Sequence, residues 1–167
     1  MTIVYQSNTG FTETYARMLA QDTGFPLYSA EQARKALSQG SEILYLGWVC
    51  AGHISGLDQA VKRYDVKGAC AVGLMPPDRS VFEHLARSNY LPSGPMYYLQ
   101  GGYAPERLKG IKKPMLNMVL RSLKKKLSGQ ANPPEEEIQL LAMICNGGSA
   151  VCEENLVPVL RWLNDDA

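Results

Sequence analysis

The sequence predicts an α/β fold, namely a doubly wound parallel sheet of five strands with a helical insert after the fifth strand. The chain has 167 residues, which suits one domain, and 46% of them are apolar, which is enough to fill a layered core. Short apolar runs alternate with amphipathic stretches, as they do when crossover helices cover both faces of a parallel sheet. We therefore expect residues 1–167 to form a single domain.

The individual strands and helices follow from this alternation. The five strands are predicted at Ile3–Gln6, Pro26–Tyr28, Glu42–Gly47, Ala69–Met75 and Met96–Gln100. Four crossover helices are predicted at Glu13–Gln21, Ala30–Leu37, Leu57–Tyr64 and Ser80–Ala86, and a closing helix at Glu153–Leu163. Right-handed crossovers then connect neighbouring parallel strands.

A long segment interrupts this pattern between the fifth strand and the closing helix. It spans about fifty residues, which is too many for an ordinary loop, and we predict a helical insert at residues 104–150. Residues 106–130 contain eight of the seventeen Lys and Arg and a single acid, Glu106. Pro114 can begin an amphipathic helix there, and the acidic run Glu135–Glu137 suits the positive end of a second helix dipole.

Composition excludes several classes of protein. The net charge of +1 favours neither a nucleic-acid-binding protein nor an acidic tail. The four cysteines, Cys50, Cys70, Cys145 and Cys152, form no C-x-x-C pair, so we expect free thiols and no metal site. The sequence has neither a signal-peptide pattern nor a run of about 18 apolar residues, and we expect a cytoplasmic protein.

The clearest chemical motif follows the first predicted strand and reads S-N-T-G-F-T. It consists of Ser7, Asn8, Thr9, Gly10, Phe11 and Thr12. Hydroxyls, an amide side chain and backbone N–H groups at the start of a helix can together bind a phosphate without a cation. The glycine lets the backbone approach an oxygen closely. The loop lies at the carboxyl edge of the sheet, where doubly wound folds bind ligands.

The segment Ile3–Glu13 resembles the phosphate loop of flavodoxins, whose pattern is S/T-x-T-G-x-T after an N-terminal strand. This resemblance implies the strand order 2-1-3-4-5, non-covalent FMN as cofactor, and electron transfer as the function. Competing motifs are absent: the sequence has no G-x-x-x-x-G-K-[ST] and no G-x-G-x-x-G after the first strand.

A flavin ring also needs a flat slot with backbone groups at its edge, which we place in the loops after the third and fifth strands. The candidate residues there are Trp48, Val49, Cys50, Ala51, Gly52, Gly101, Gly102 and Tyr103. Trp48 and Tyr103 are predicted to pack on the ring, and the three glycines to allow close approach of the backbone. For Trp48 the alternative is a residue that fills the edge of the sheet. No catalytic residue is assigned.

The phrase G-W-V-C-A-G-H-I-S-G-L at Gly47–Leu57 and the basic insert resemble the flavodoxin-domain branch that includes menaquinone-dependent protoporphyrinogen oxidase. This implies an alternative function, a quinone- or NAD(P)H-dependent FMN oxidoreductase. A third alternative is an interaction module that has lost the flavin. The partner would be a redox protein or a small electron donor or acceptor, a quinone among them.

The basic insert has two interpretations. Arg121 and Lys124–Lys126 beside an apolar stripe could rest on an anionic membrane. We favour the other interpretation, in which the apolar stripe packs on the domain and the charges are solvated, because this is the common pattern of a covered helix.

Overall fold

The computed structural model describes residues 1–107, 121, 125 and 135–165. The strands are β1 Thr2–Gln6, β2 Leu27–Ser29, β3 Glu42–Cys50, β4 His53–Ile54, β5 Asp65–Gly73, β6 Met96–Gln100, β7 Gly102–Tyr103 and β8 Gly148–Ser149. The α-helices are α1 Phe11–Thr23, α2 Ala30–Ala36, α3 Leu57–Arg63, α4 Arg79–Ser88, α5 Glu135–Asn146 and α6 Val157–Asp165. Two 3-10 helices lie at Pro105–Arg107 and Glu153–Leu156.

The central sheet is mainly parallel and has the order β2-β1-β3-β5-β6, with the short β4 antiparallel to β3. Every neighbouring pair along that order is parallel. Val4, in the middle of β1, pairs with Tyr28 on one side and with Tyr45 on the other. The prediction of an α/β fold with a parallel central sheet is confirmed at this level.

Alternating side chains of the strands divide the core between the two faces of the sheet. Ile43 and Tyr45 belong to a buried cluster that includes residues of α2, α3 and α4. Leu44 and Leu46 belong to a second cluster, with residues of α1 and α6. Helices therefore cover both faces, which is consistent with a doubly wound α/β fold.

Several predicted boundaries were wrong by a few residues. β5 begins at Asp65 rather than Ala69. Its first residues were missed because charged residues occupy the start of the strand, where Lys67 pairs with Asp65 (2.7 Å) and with Glu42 of β3 (3.2 Å). β5 also ends at Gly73, before Met75. The closing α-helix begins at Val157, after a 3-10 turn, in keeping with the lack of an N–H group in Pro158.

The segment between β7 and β8 leaves and returns to the sheet at one place. β7 and β8 pair antiparallel, with Gly102 opposite Ser149 and Tyr103 opposite Gly148, and the Ala150 N–H donates to the Gly101 carbonyl (2.8 Å). Within this segment the structure describes α5 over Glu135–Asn146, which contains the acidic run of the second predicted helix. The amphipathic helix predicted after Pro114 lies outside the described residues, apart from Arg121 and Lys125, which are helical and exposed.

A hydrogen-bond network at the buried Tyr15 of α1 fixes the junction at which this segment leaves β6 and returns, near Gln100 and Ala150. The Tyr15 hydroxyl donates to the Gln100 carbonyl (2.6 Å), and the Asn155 side-chain amide donates to the Tyr15 oxygen (2.6 Å) and to the Ala150 carbonyl (3.0 Å). Burial raises the pKa of Tyr15, so the hydroxyl remains a donor at neutral pH. One side chain thus joins α1 to both ends of the junction.

No helix among the described residues has the length and apolar character needed to cross a membrane.

We expect Tyr15→Phe to lower the free energy of unfolding by about 1–2 kcal/mol, because the Gln100 carbonyl loses its donor and the Asn155 amide loses an acceptor. Urea unfolding followed by circular dichroism measures this change. Tyr28→Phe is the matched control, since Tyr28 is half-buried and its hydroxyl makes no hydrogen bond to described residues. Equal stability of the two variants would contradict a structural role for the network.

Candidate functional site

One cavity of about 540 Å³ lies at the carboxyl ends of β1, β3, β5 and β6. Parallel strands present these ends at a single edge, which is where open α/β sheets bind ligands. The lining includes all the residues predicted to bind a cofactor except Ser7 and Gly10. The volume is within the range of small-molecule sites.

Ser7 and Gly10 shape the first loop instead of lining the cavity. The Ser7 hydroxyl accepts a hydrogen bond from the Gly10 N–H (3.1 Å), which closes a tight turn after β1. Gly10 has φ +101°, a left-handed conformation that side-chain-bearing residues rarely adopt. The chain can therefore enter α1 at Phe11 directly, with Asn8 and Thr9 facing the cavity.

The start of α1 has polar groups that find no partner in the part of the chain that the structure describes. No side chain caps this end of the helix, whose first N–H groups cannot bond within it. Thr12, in the first turn, is only 2% exposed and lines the cavity. Its hydroxyl makes no hydrogen bond with any residue that the structure describes. A buried hydroxyl without a partner is costly, so a polar group that enters the cavity would be bound favourably at this position.

The segment Gly47–His53, predicted to be a loop, is a β-hairpin, and that prediction was wrong. β3 continues through Cys50 and turns at Ala51 and Gly52 into β4. Both turn residues have positive φ, +50° and +82°, which matches the right-handed twist of a tight hairpin. The sequence lacks the usual Asn-Gly signal, and an alanine in this conformation could not be foreseen.

The hairpin is fastened to α4 through the side chain of Asn89. Its carbonyl oxygen accepts the Ile54 N–H (2.8 Å), and its amide donates to the Gly52 carbonyl (2.8 Å) and the Leu85 carbonyl (2.9 Å). His84 of α4 packs against Gly52, where a Cβ would lie 2.8 Å from the imidazole Cδ2. The hairpin and α4 together form one side of the cavity.

The glycines predicted to let a ring approach are already packed against protein atoms. A Cβ on Gly102 would lie 2.7 Å from the Phe11 ring, and one on Gly101 would lie 3.0 Å from Val72. Internal packing is therefore a sufficient reason for glycine at these positions. Close approach of a ligand to them stays a prediction.

The two aromatic side chains predicted to stack on a ring occupy different environments. Trp48 is half-buried in β3 beside Val72 of β5. Tyr103 is 8% exposed and packs with Leu140 and Ile144 of α5. Both line the cavity, and their stacking on a ligand stays a prediction.

Sequence reasoning missed the contribution of β5 and of the elements beside it. The additional lining residues are Val72, Gly73, Leu74, Met75, Ser80, Val81, His84, Leu85, Tyr98 and Ala104. The residues at the end of β5, Val72 and Gly73, could have been predicted, because parallel pairing with β3 brings the carboxyl end of β5 to the same edge of the sheet. The Tyr98 hydroxyl holds the loop after β5 by donating to the Met75 carbonyl (2.7 Å), and burial raises its pKa.

No family model, curated protein or solved structure matches this chain.

The cavity has little charge of its own. No Asp, Glu, Lys or Arg is among its lining residues in the described part of the chain. Arg107 lies beside it, with Nη1 3.4 Å from the Thr9 carbonyl oxygen. Arg107 belongs to the basic segment at residues 106–130 and is not one of the predicted site residues. No cluster of three or more His, Cys, Asp and Glu suited to a metal ion occurs in the described ranges.

We expect Thr12→Val to leave the ligand-free protein as stable as the wild type or more stable by up to about 1 kcal/mol, because valine has nearly the same shape and removes an unsatisfied hydroxyl. Thermal unfolding of the ligand-free protein measures this. Thr23→Val on the same helix is the control, since Thr23 donates to the Leu19 carbonyl (2.6 Å) and accepts the Phe25 N–H (3.3 Å). A larger loss of stability in Thr12→Val than in Thr23→Val would mean that the Thr12 hydroxyl is structural.

Proposed function

We propose that this protein binds FMN non-covalently and acts in electron transfer, as a flavodoxin-like carrier or oxidoreductase. The observation that carries the proposal is the buried Thr12 hydroxyl, which has no partner among the described residues and lies at an uncapped helix start that opens on a cavity. A phosphate group bound there would supply the missing acceptor oxygens and would lie at the positive end of the α1 dipole.

The arrangement of the sheet supports the same proposal. The parallel strands have the order β2-β1-β3-β5-β6, with the short β4 beside β3, and this arrangement is compatible with the proposed flavodoxin-like order 2-1-3-4-5. The remaining sides of the cavity offer mostly apolar residues, among them Trp48, Val49 and Leu74, which suit a flat aromatic ring. We also propose a cytoplasmic location, in keeping with four cysteines that are free thiols.

FMN would supply one-electron and two-electron redox chemistry at its ring. The residues of this chain would bind and orient it: Thr9 and Thr12 at the phosphate, and the hairpin at Trp48–Gly52 along the ring. The described lining has no carboxylate, so none of these residues would place a negative side chain against bound FMN. Apolar side chains would exclude water from the ring, which strengthens electrostatic interactions there.

An oxidoreductase with a second small substrate, such as a quinone or NAD(P)H, is favoured by one further observation. The cavity extends past the predicted cofactor residues to Met75, Val81 and His84. This extension would give a second substrate room beside a bound ring. A carrier would need only an exposed ring edge for a partner protein.

We expect the purified protein to quench FMN fluorescence at micromolar concentrations, and Thr12→Val to weaken FMN binding about tenfold with little effect on riboflavin, since one hydrogen bond to a charged phosphate is worth roughly 1.5 kcal/mol. Fluorescence titration measures both ligands. Thr23→Val should bind FMN as the wild type does. Absence of quenching by the wild type would refute the proposal and favour an interaction module without flavin.

Steady-state turnover separates the two forms of the proposal. Anaerobic assays of the FMN-loaded protein with NAD(P)H, quinones and small redox proteins identify donors and acceptors. Saturable turnover with a small molecule indicates the oxidoreductase. Exchange with redox proteins alone indicates the carrier.

A further inference from the structure

Arg107 lies against the first loop although it is far away in sequence. Its Nη1 atom is 3.4 Å from the Thr9 carbonyl oxygen, and it would be 3.5 Å from a Cβ built on Gly10. The guanidinium therefore lies beside the turn that leads into α1. Among the described residues, Arg107 is the cationic residue with a hydrogen bond to Ser7–Thr12.

The position of Arg107 is set by its neighbours in the chain. It ends the 3-10 helix Pro105–Arg107 directly after β7, and its N–H donates to the carbonyl of Ala104 (3.0 Å), a buried residue. β7 is in turn paired with β8. The start of the insert thus places the guanidinium next to the loop at Ser7–Thr12.

The charges around the loop leave Arg107 available to an anion. The loop itself has no charged side chain, and Glu13 in the first turn of α1 is paired with Arg17 at 2.6 Å. The Arg107 side chain is 63% exposed, and its contact with Glu106 is long, at 3.6 Å. A guanidinium has five N–H donors, and its contacts with described residues involve only Nε and Nη1.

We propose that Arg107 is the residue that makes this site selective for a phosphomonoester dianion, binding the phosphate from the insert side while the start of α1 binds it from the sheet side. The buried Thr12 hydroxyl is the independent sign that a polar ligand group belongs between them. This inference rests on the proposed function for the identity of the ligand as FMN, but the preference for a terminal phosphate concerns Arg107 alone.

If the role of Arg107 were purely structural, its replacement would lower the stability of the ligand-free protein. The bond to the Thr9 carbonyl is long and largely exposed, and such contacts add little to stability. Replacement of Arg107 should therefore leave the thermal unfolding midpoint of the ligand-free protein close to that of the wild type. Its effect should appear in binding, and only for ligands that carry the phosphate.

The test compares Arg107→Gln, Arg107→Lys and the control Arg161→Gln in the full chain. Arg161 is exposed on α6, a helix that contributes no described residue to the cavity, and its replacement changes the net charge equally. We expect Arg107→Gln to weaken FMN binding about tenfold and riboflavin binding less than twofold, with Arg161→Gln unchanged for both. Arg107→Lys should recover part of the loss, since it keeps the charge but not the planar donor fork.

Salt and inorganic phosphate give independent readouts. FMN affinity of the wild type should fall as NaCl rises, and that of Arg107→Gln should fall less, because salt screens an exposed charge. Inorganic phosphate should compete with FMN more weakly in Arg107→Gln than in the wild type. Equal FMN affinity and equal salt dependence in Arg107→Gln and Arg161→Gln would overturn the inference and leave the proposed function standing.

The failure of the proposed function would look different. A wild-type protein that binds inorganic phosphate in an Arg107-dependent way, as seen by ³¹P NMR, but does not bind FMN would refute the flavin and support the role of Arg107. A wild type that binds neither FMN nor phosphate would overturn both.

Discussion

The parallel pairing of β1, β3, β5 and β6 is the constraint on which the rest of this molecule depends. Because neighbouring strands run in the same direction, each must be followed by a connection that returns along a face of the sheet. The carboxyl ends of the strands are then left together at one edge, and the chain leaves each strand through a short segment that faces the same space. The cavity is a consequence of this geometry, and the residues after each strand decide its chemistry.

Within that geometry, the helix starts around the sheet are capped in different ways. Ser29 and Gln32 form a capping box at α2, and the Asp78 carboxylate accepts the Val81 N–H at α4. Hydrogen bonds from Ser80 and from the Val81 N–H hold the pKa of Asp78 below its usual value. Neither α1 nor α3, which begin after Gly10 and Gly56, has such a side chain. Of these two uncapped starts, the one of α1 lies at the cavity, and α3 contributes no described residue to its lining.

The sequence was sufficient to predict the features that depend on local periodicity, but not those that depend on which strands pair with each other. Apolar alternation located the long strands and the crossover helices, and the motif S-N-T-G-F-T located the loop after β1. The hairpin at Ala51 and Gly52 could not be read from the sequence, because alanine rarely adopts the left-handed backbone that the first turn position requires. Met75, His84 and Arg107 were missed as cavity neighbours for another reason: only the strand order and the β7–β8 pair bring them to the edge where Thr12 lies.

The three side-chain hydrogen bonds of Asn89 have a consequence for how the cavity is entered. They tie the β3–β4 hairpin to the end of α4. On the opposite side, residues 102–107 are joined to the partner strand by two residue pairs, and Tyr103 packs against Leu140 and Ile144 of α5. A molecule that enters between the two sides would therefore meet one side whose position depends on a single asparagine and another whose position depends on backbone pairing and on α5.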